Sequence, residues 1–480
     1  MASDGHNVAT RTLRGMFWAY GSYAAGRVLV LVSIALLARL LSPADFGLVA
    51  LALTFTVVLD AVSDLGLSQA LIIAEEQDLH AKADTAWTAS VGVGALLAMV
   101  AAALGPVAAA FFDEPALNVM LGVLGLNFLL RALGVTHFAL AQRELDFRTR
   151  TKAELADVVV RGCVGVGLAL AGAGAYSLVI GYLVGSAAMT ATLWKIVPWR
   201  PHVRVYRPHL SVLLRYGGGL TALHLVSVVI TNADYVLIGR VLGTTALGFY
   251  TLGYRLPELV VLNLAFVAGM VLFPAFASVR RDALAGAFLT SLRYTLIAGL
   301  PLALLLGFLA EPLILLAFGD AWRDSIGVMQ VLAAFAFVAT IDVPAGTAYK
   351  SIGRVDILVR IAIPRAILVV VAIALLVDRG IVAVALCQTA IGALFALLAI
   401  GLASRLLGTG LRAIAVAAWP ALAAGGAMAL ILAVTSLTLD DPYVTLGVGG
   451  SAGMLAYLAV MWIVAPDVLR RVAGMLRPRA

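Results

Sequence analysis

The chain has 480 residues, of which 62% are hydrophobic and only 12% are charged, whereas soluble globular proteins carry about 25% charged residues. This composition excludes a soluble enzyme. The net charge of +7 fits either nucleic-acid binding or the topology of a membrane protein, and the positions of the charges decide between the two.

Fourteen long apolar segments, separated by polar breaks, follow one another along the chain. A helix needs about 20 apolar residues to cross a bilayer, and runs this long exclude the roughly 10-residue strands of a membrane β-barrel. We therefore predict an all-α integral membrane protein with about 14 transmembrane helices. The predicted spans are 16–40, 48–73, 86–112, 116–140, 154–172, 175–197, 211–240, 246–272, 286–310, 326–349, 356–377, 381–404, 411–437 and 443–465.

The 33 Lys and Arg residues are distributed unequally between the two sides of these spans. Twenty-four fall on one side, five lie within spans, and only Arg39, Arg240, Arg323 and Arg379 fall on the other side. Short loops rich in Lys and Arg stay in the cytoplasm. The sequence therefore predicts a multi-pass protein of the cell inner (plasma) membrane with both termini in the cytoplasm, and the basic surplus gives no support to nucleic-acid binding.

Enzyme and metal motifs are missing from the sequence. Cys163 and Cys387 both lie in apolar segments, so they form no disulfide framework or metal set. There is no phosphate loop, HExxH motif or serine nucleophile elbow. We expect no cofactor, no metal and no catalytic residue. A membrane glycosyltransferase or polymerase remains an alternative, although non-cytoplasmic loops such as 318–325 are short for a catalytic face.

Two stretches of the chain repeat each other weakly at a nearly constant spacing. Segment 38–49 resembles 239–250 at an offset of 201, and the segment that begins at Gly105 resembles the one that begins at Glu311 at an offset of 206. Spans one to six are therefore interpreted as duplicated in spans seven to twelve. Two such lobes related by an axis along the membrane normal suit alternating access, which indicates a transporter.

The duplication also predicts domain boundaries. We expect a six-helix lobe at 1–197, a proline-rich cytoplasmic linker at 198–210, a second six-helix lobe at 211–408, and two extra helices with a basic tail at 409–480.

Charged side chains inside the predicted spans are candidates for function, because an ionised group at the bilayer centre costs about 3 kcal/mol on insertion scales. Arg255 and Glu258 lie three residues apart around Pro257, so they either pair and hold a kink or serve the cavity. The charged residues within spans are Arg27, Arg131, Arg161, Arg255 and Arg365, with Asp60, Asp64, Asp157, Asp234, Glu258 and Asp342.

Other intramembrane charges have their own alternatives. Asp157 and Arg161 are spaced as a helical ion pair, which favours a structural role. Asp60 and Asp64 have no cation nearby in sequence, so they meet Arg27, a proton or a cation, or line a water-filled mouth. For Arg131 an interhelix structural role is favoured slightly over substrate contact.

Arginines central to both lobes predict a cationic cavity for a substrate that carries phosphate, because guanidinium forms bidentate hydrogen bonds to phosphate. We predict that Arg27, Arg255 and Arg131 bind the substrate, and that Asp60, Asp64 and Glu258 couple an ion or line the cavity. A cation-coupled drug exporter would instead present carboxylates without central arginines.

Several segments resemble the Wzx-type polysaccharide flippases of the multidrug/oligosaccharidyl-lipid/polysaccharide exporter superfamily, in the branch that includes the colanic-acid flippase. They are ARLLSPADFGLVALAL (38–53), DLGLSQALI (64–72), AQRELDF (141–147), VLFPAFASV (271–279) and LLAFGDAWRDSIGVMQVL (315–332).

The resemblance implies that undecaprenyl-pyrophosphate-linked oligosaccharide repeat units cross the membrane by rocking of two lobes. It implies membrane lipids as partners, and allows the polymerase and other export machinery as further partners. The related lipid II flippases have arginines in spans one and eight, where Arg27 and Arg255 fall. A cation-coupled multidrug exporter and a lipid II flippase remain the alternative functions.

Overall fold

A computed structural model describes residues 26–61, 63, 67–73, 78–144, 146–206, 228, 230–468 and 470, and all regular structure within these ranges is helical. The helices of the first part of the chain are α1 (26–40), α2 (Pro43–Asp60), α3 (Leu67–Ile73), α4 (Leu79–Phe112), α5 (Ala116–Arg143), α6 (Phe147–Leu170), α7 (Tyr176–Ile196) and α8 (230–241). They are followed by α9 (Gly243–Ser278), α10 (Leu284–Phe308), α11 (Ala310–Ala317), α12 (Ser325–Ser351), α13 (Val355–Leu376), α14 (Ile381–Leu407), α15 (Leu411–Thr438) and α16 (Pro442–Val464).

The predicted fold class is confirmed. Eleven helices of the described chain are long and apolar enough to cross a membrane. Three further predicted spans coincide with α1, α6 and the described part of α8. Helices dominate because every backbone N–H and C=O group in hydrocarbon has to be satisfied within the segment.

The structure corrects the second predicted span. The sequence predicts one helix over 48–73, but α2 ends at Asp60 and a separate short helix, α3, begins at Leu67. The polar side chains after α2 compete with the helix for backbone groups: Ser63 Oγ donates to the carbonyl oxygen of Asp60 at 2.9 Å and to the Asp60 carboxylate at 3.1 Å. Residues 62 and 64–66, and with them Asp64, lie outside the described residues.

A capping box fixes the start of α2. Ser42 Oγ accepts the backbone N–H of Asp45 at 3.2 Å, and the Asp45 carboxylate accepts the backbone N–H of Ser42 at 3.0 Å. Pro43 occupies the first turn, where no intrahelical N–H bond is lost. The other carboxylate oxygen of Asp45 accepts the backbone N–H of Ala175 at 3.0 Å, so one side chain joins the start of α2 to the start of α7.

Glycines allow close helix crossings in the first part of the chain. A Cβ built on Gly181 would lie 2.9 Å from the carbonyl oxygen of Arg161, and one on Gly185 would lie 2.9 Å from that of Asp157. Between α4 and α5, a Cβ built on Gly94 would lie 2.8 Å from the carbonyl oxygen of Phe128. Such small-residue contacts replace the hydrophobic driving force that is missing between helices in lipid.

The described contacts divide the chain into two compact units, 1–248 and 249–480. In the second unit, one apolar cluster includes Phe288, Tyr349 and Ala399 from α10, α12 and α14. A further cluster joins α15 to α16 through Met428 and Met461. Tyr457 on α16 donates to the carbonyl oxygen of Ile297 at 2.8 Å, which ties the last helices to α10.

We predict that Asp45→Ala lowers the stability of the detergent-solubilised protein by about 2 kcal/mol, because it removes a cap and leaves the N–H of Ala175 without its acceptor. The measurement is the thermal unfolding midpoint by circular dichroism. The matched control is Asp378→Ala, a carboxylate on an exposed turn. Equal midpoints for the two variants would contradict the joining role of Asp45.

Candidate functional site

Arg131 and Asp60 form an ion pair between two helices. Arg131 lies in the middle of α5 and Asp60 is the last residue of α2, and Nη1 of Arg131 donates to Oδ1 of Asp60 at 3.0 Å. The two side chains remain 52% and 39% exposed. The sequence shows no cation near Asp60, but the fold supplies Arg131 from 71 residues further along the chain.

A second ion pair lies on α6, opposite α7. Nη2 of Arg161 donates to Oδ1 of Asp157 at 2.7 Å, as the i, i+4 spacing predicts. The Arg161 guanidinium also lies over the ring of Tyr182 on α7, 4.3 Å from its centroid. The Asp157 side chain is only 17% exposed, which suits a structural pair at the crossing of α6 and α7.

In the second unit Arg255 and Glu258 pair on the same helix. Nη1 of Arg255 donates to Oε2 of Glu258 at 2.9 Å, and the side chains are 36% and 41% exposed. Pro257 lies between them, and the helix continues as a π-helical turn over Glu258–Leu262. Asn263 Nδ2 donates to the carbonyl oxygens of Glu258 and Leu259, both at 3.1 Å, and the backbone N–H of Asn263 also donates to the carbonyl oxygen of Glu258.

Arg365 on α13 forms the remaining pair within the described spans. Its Nη1 lies 3.9 Å from Oδ2 of Asp342 on α12, and the two side chains are 21% and 35% exposed. The atom Nε of Arg365 is buried and finds no hydrogen-bond acceptor among the described residues. This loose, largely covered pair fits a contact between helices better than a ligand site.

The structure describes two more charged residues that the sequence places within spans. Arg27 is half-buried near the first described residue of α1. Asp234 on α8 is 3% exposed, and its Oδ1 accepts the backbone N–H of Tyr235 at 3.0 Å. Asp64, by contrast, lies outside the described residues.

The four pairs differ in exposure. A charged pair in the middle of a span avoids the large cost of facing hydrocarbon only if it is buried or faces water. Both side chains are at least 36% exposed in the pairs of Arg131 and Arg255, whereas Asp157 is 17% exposed and Arg365 is 21% exposed in the other two pairs. A guanidinium carries five N–H donors, and each ion pair of Arg131 and Arg255 uses one of them. Both arginines can therefore bind a further anion.

Two features of the site region escape sequence reasoning. The beginning of the predicted linker is held along α4, because the backbone N–H of His202 donates to Asp84 at 3.0 Å and that of Tyr206 donates to Thr85 at 3.2 Å. The second unit also contains a cavity of about 730 Å³, lined in part by Phe308, Glu311 and Asp440. Among the described residues, no three His, Cys, Asp or Glu side chains cluster as metal ligands.

Comparison with known proteins gives one family. The family model described as polysaccharide biosynthesis protein matches residues 36–327, more than half of the chain.

Three curated relatives have similar sequences. Lipopolysaccharide biosynthesis protein WzxC of Escherichia coli (strain K12) is 28% identical over 356 residues, covering 72% of this chain and 71% of the relative. Succinoglycan biosynthesis transport protein ExoT of Rhizobium meliloti (strain 1021) is 27% identical, covering 68% and 66%. Teichuronic acid biosynthesis protein TuaB of Bacillus subtilis (strain 168) is 23% identical, covering 73% of each chain.

Solved structures share the fold. The lipid II flippase MurJ in an inward closed conformation has a TM-score of 0.77 at 15% identity, covering 94% of this chain and 100% of that one. A multidrug resistance MATE family transporter in an inward-facing conformation has a TM-score of 0.65 at 14% identity, covering 80% and 94%. At these identities the likeness shows the fold alone.

We predict that Asp60 and Arg131 are energetically coupled. Asp60→Asn and Arg131→Gln each break the ion pair, so the double variant is expected to be no less stable than the worse single variant, with a coupling of about 0.5 to 1 kcal/mol for a half-exposed pair. The measurement is a double-mutant cycle of unfolding midpoints in detergent.

The control for this cycle is Asp60→Asn combined with Arg280→Gln, because Arg280 is 87% exposed and pairs with Asp282 instead. Additive effects of Asp60→Asn and Arg131→Gln would show that the contact contributes nothing to stability.

Proposed function

The chain belongs to the polysaccharide biosynthesis protein family, whose model matches residues 36–327, and from this premise we propose that it is a flippase for lipid-linked oligosaccharides. Its cargo is an undecaprenyl-pyrophosphate-linked repeat unit, which crosses the inner membrane by alternating access during the biosynthesis of an exopolysaccharide, capsule or O-antigen. The family agrees with the resemblance predicted from the sequence.

The names of the relatives support the class of cargo and leave the sugar open. They refer to three different polymers, lipopolysaccharide, succinoglycan and teichuronic acid, and one of them includes the word transport. The relatives are named for biosynthesis and transport rather than for an enzymatic reaction. A substrate shared by such proteins is a lipid-linked repeat unit whose pyrophosphate is constant while its glycan varies.

The distribution of charge supports the orientation and the direction of transport. Twenty-four Lys and Arg residues lie on the side that we assign to the cytoplasm, with both termini. Lipid-linked repeat units then enter from the cytoplasmic leaflet and leave in the outer leaflet. A polymerase and other export machinery would take up the product there.

The accessible ion pairs carry the proposal for the binding site. Arg131 and Arg255 lie within spans, keep exposed surface of 52% and 36%, and use one donor each in their ion pairs. Hydrocarbon does not solvate such groups, so their exposed surface belongs to a polar cavity. We assign Arg131, Arg255 and Arg27 to binding of the pyrophosphate, because phosphate oxygens accept charge-assisted hydrogen bonds from guanidinium.

The carboxylates explain how such arginines are held before the substrate arrives. Asp60 and Glu258 neutralise their partners while the cavity is empty, and a pyrophosphate that binds the same guanidinium competes with them. A displaced carboxylate is then able to take up a proton or a cation. We therefore assign Asp60, Asp64 and Glu258 to ion coupling or to the cavity wall, with no cofactor involved.

We predict that Arg27→Ala or Arg255→Ala abolishes polysaccharide export in a host that lacks its own flippase. Losing a charge-assisted hydrogen bond costs about 2 to 3 kcal/mol, roughly 30- to 150-fold in binding. Surface polymer should disappear while lipid-linked repeat units accumulate inside and membrane insertion stays normal. The measurements are surface polymer and extracted lipid-linked oligosaccharide.

The matched control is Arg280→Ala, which removes an exposed loop arginine and should export normally. Normal surface polymer in both Arg27→Ala and Arg255→Ala would overturn the site. Resistance to cationic dyes without any change in polymer would favour a drug exporter, and a change in polymer length with flipped single units outside would favour a polymerase.

A further inference from the structure

Two glycines bring their helices into backbone contact with other segments. A Cβ built on Gly47 in α2 would lie 1.7 Å from the carbonyl oxygen of Thr244, and one built on Gly248 in α9 would lie 1.8 Å from the carbonyl oxygen of Pro43. No Cβ tolerates such distances, so any other residue would force the segments apart. Helices approach this closely only where glycine leaves the backbone uncovered.

The two contacts are reciprocal. Gly47 and Gly248 are matched at the offset of 201 in the predicted duplication, and Pro43 and Thr244 lie at the same offset. Gly47 contacts Thr244, and Thr244 corresponds to Pro43. Pro43 is in turn the residue that Gly248 contacts. A two-fold axis between the two copies of the repeat requires this arrangement.

One side of the contact is buried. Leu51, one turn beyond Gly47, is fully buried, and a Cβ built on Gly239 would lie 2.4 Å from it. On the outer side Thr244 Oγ1 donates to Glu114 Oε1 at 3.0 Å. Arg240 lies over the ring of Phe111, 5.1 Å from its centroid.

The chemistry of the contact suits a closure that has to open. Weak backbone contacts of the kind that helices make at glycine, such as Cα–H to carbonyl contacts, are worth only about 0.5 to 1 kcal/mol each, so a contact of this kind fills the space between the segments without binding them strongly. Both glycines follow predicted non-cytoplasmic loops, the α1–α2 turn and the α8–α9 turn.

We propose that Gly47 and Gly248, with Pro43 and Thr244, form a reciprocal glycine seal that closes the transport route on the non-cytoplasmic side. This proposal rests on the proposed function, since a seal has a purpose only in a protein that alternates access. The seal separates to release the product and re-forms through the two glycine contacts, beside the hydrogen bond of Thr244 to Glu114 and the contact of Arg240 with Phe111. The glycines are positioning residues and do not bind the substrate.

The experiment measures how readily an external reagent reaches Leu51→Cys beneath the seal. The two natural cysteines, Cys163 and Cys387, are first replaced by Ser and Ala. Intact cells are treated with a membrane-impermeant maleimide, and the rate of labelling is compared with and without Gly47→Ala or Gly248→Ala. The control is Gly122→Ala, because a Cβ built on Gly122 meets nothing within 4 Å.

We expect Gly47→Ala and Gly248→Ala each to raise the labelling rate at least about tenfold, because the closed state loses population to states in which Leu51→Cys is exposed. Gly122→Ala should leave the rate unchanged. Labelling at the control rate in both seal variants would overturn the proposal. This readout needs no substrate, so faster labelling would sustain the seal even if Arg27→Ala and Arg255→Ala both export polymer normally, a result that would count against the proposed function alone.

A second variant covers the case in which an alanine prevents folding. A Cβ built on Gly239 lies 3.2 Å from Cγ of Leu51, close to where Leu51→Cys would place its sulfur, so Leu51→Cys with Gly239→Cys is within reach of a disulfide. Oxidation should join α2 to α8 through a disulfide. A thiol reagent added afterwards should then label neither cysteine, and reduction of the disulfide should restore the labelling. If the double variant shows no disulfide on a gel after treatment with an oxidant, the result counts against the seal.

Discussion

The cost of an unpaired charge in hydrocarbon sets the arrangement of this molecule. Arginines within the predicted spans pair with carboxylates in the described residues, among them Arg131, Arg161, Arg255 and Arg365. Of these four pairs, each unit contains one along a single helix and one between two helices. Because neutral pairs are far cheaper to insert than isolated arginines, the bundle is able to keep guanidinium groups at mid-span depth.

Hydropathy predicts most of the fold because few backbone structures satisfy all their hydrogen bonds in lipid. A chain of apolar segments separated by basic loops has to form helices, and eleven of the described helices satisfy the length and composition of a span. The prediction of helix ends from the sequence fails where a polar residue interrupts an apolar run. Asp60 and Ser63 end α2 inside the predicted second span, since local side-chain hydrogen bonds compete with the helix there.

The candidate site is predictable where partners share a helix. The spacing of Asp157 and Arg161, and of Arg255 and Glu258, predicts the pairs that the structure contains. Arg131 and Asp60 lie 71 residues apart, and no pattern in one sequence connects them. The assignment of these residues to substrate and ion binding stays a prediction. In the same way, the prolines of the linker predict only that it is exposed. The hydrogen bond that holds the linker to Asp84 is not predictable from the sequence.

The π-helical turn of α9 has a counterpart in the first half of the chain. The turn covers Glu258–Leu262, and α2 ends at Asp60, which corresponds to residue 261 at the offset of 201 seen in the sequence. Both segments thus leave regular α-helical bonding at matching positions of the predicted repeat. Such interruptions are where helices bend most easily. A bend there would displace the carboxylates of Asp60 and Glu258, which hold the accessible arginines Arg131 and Arg255.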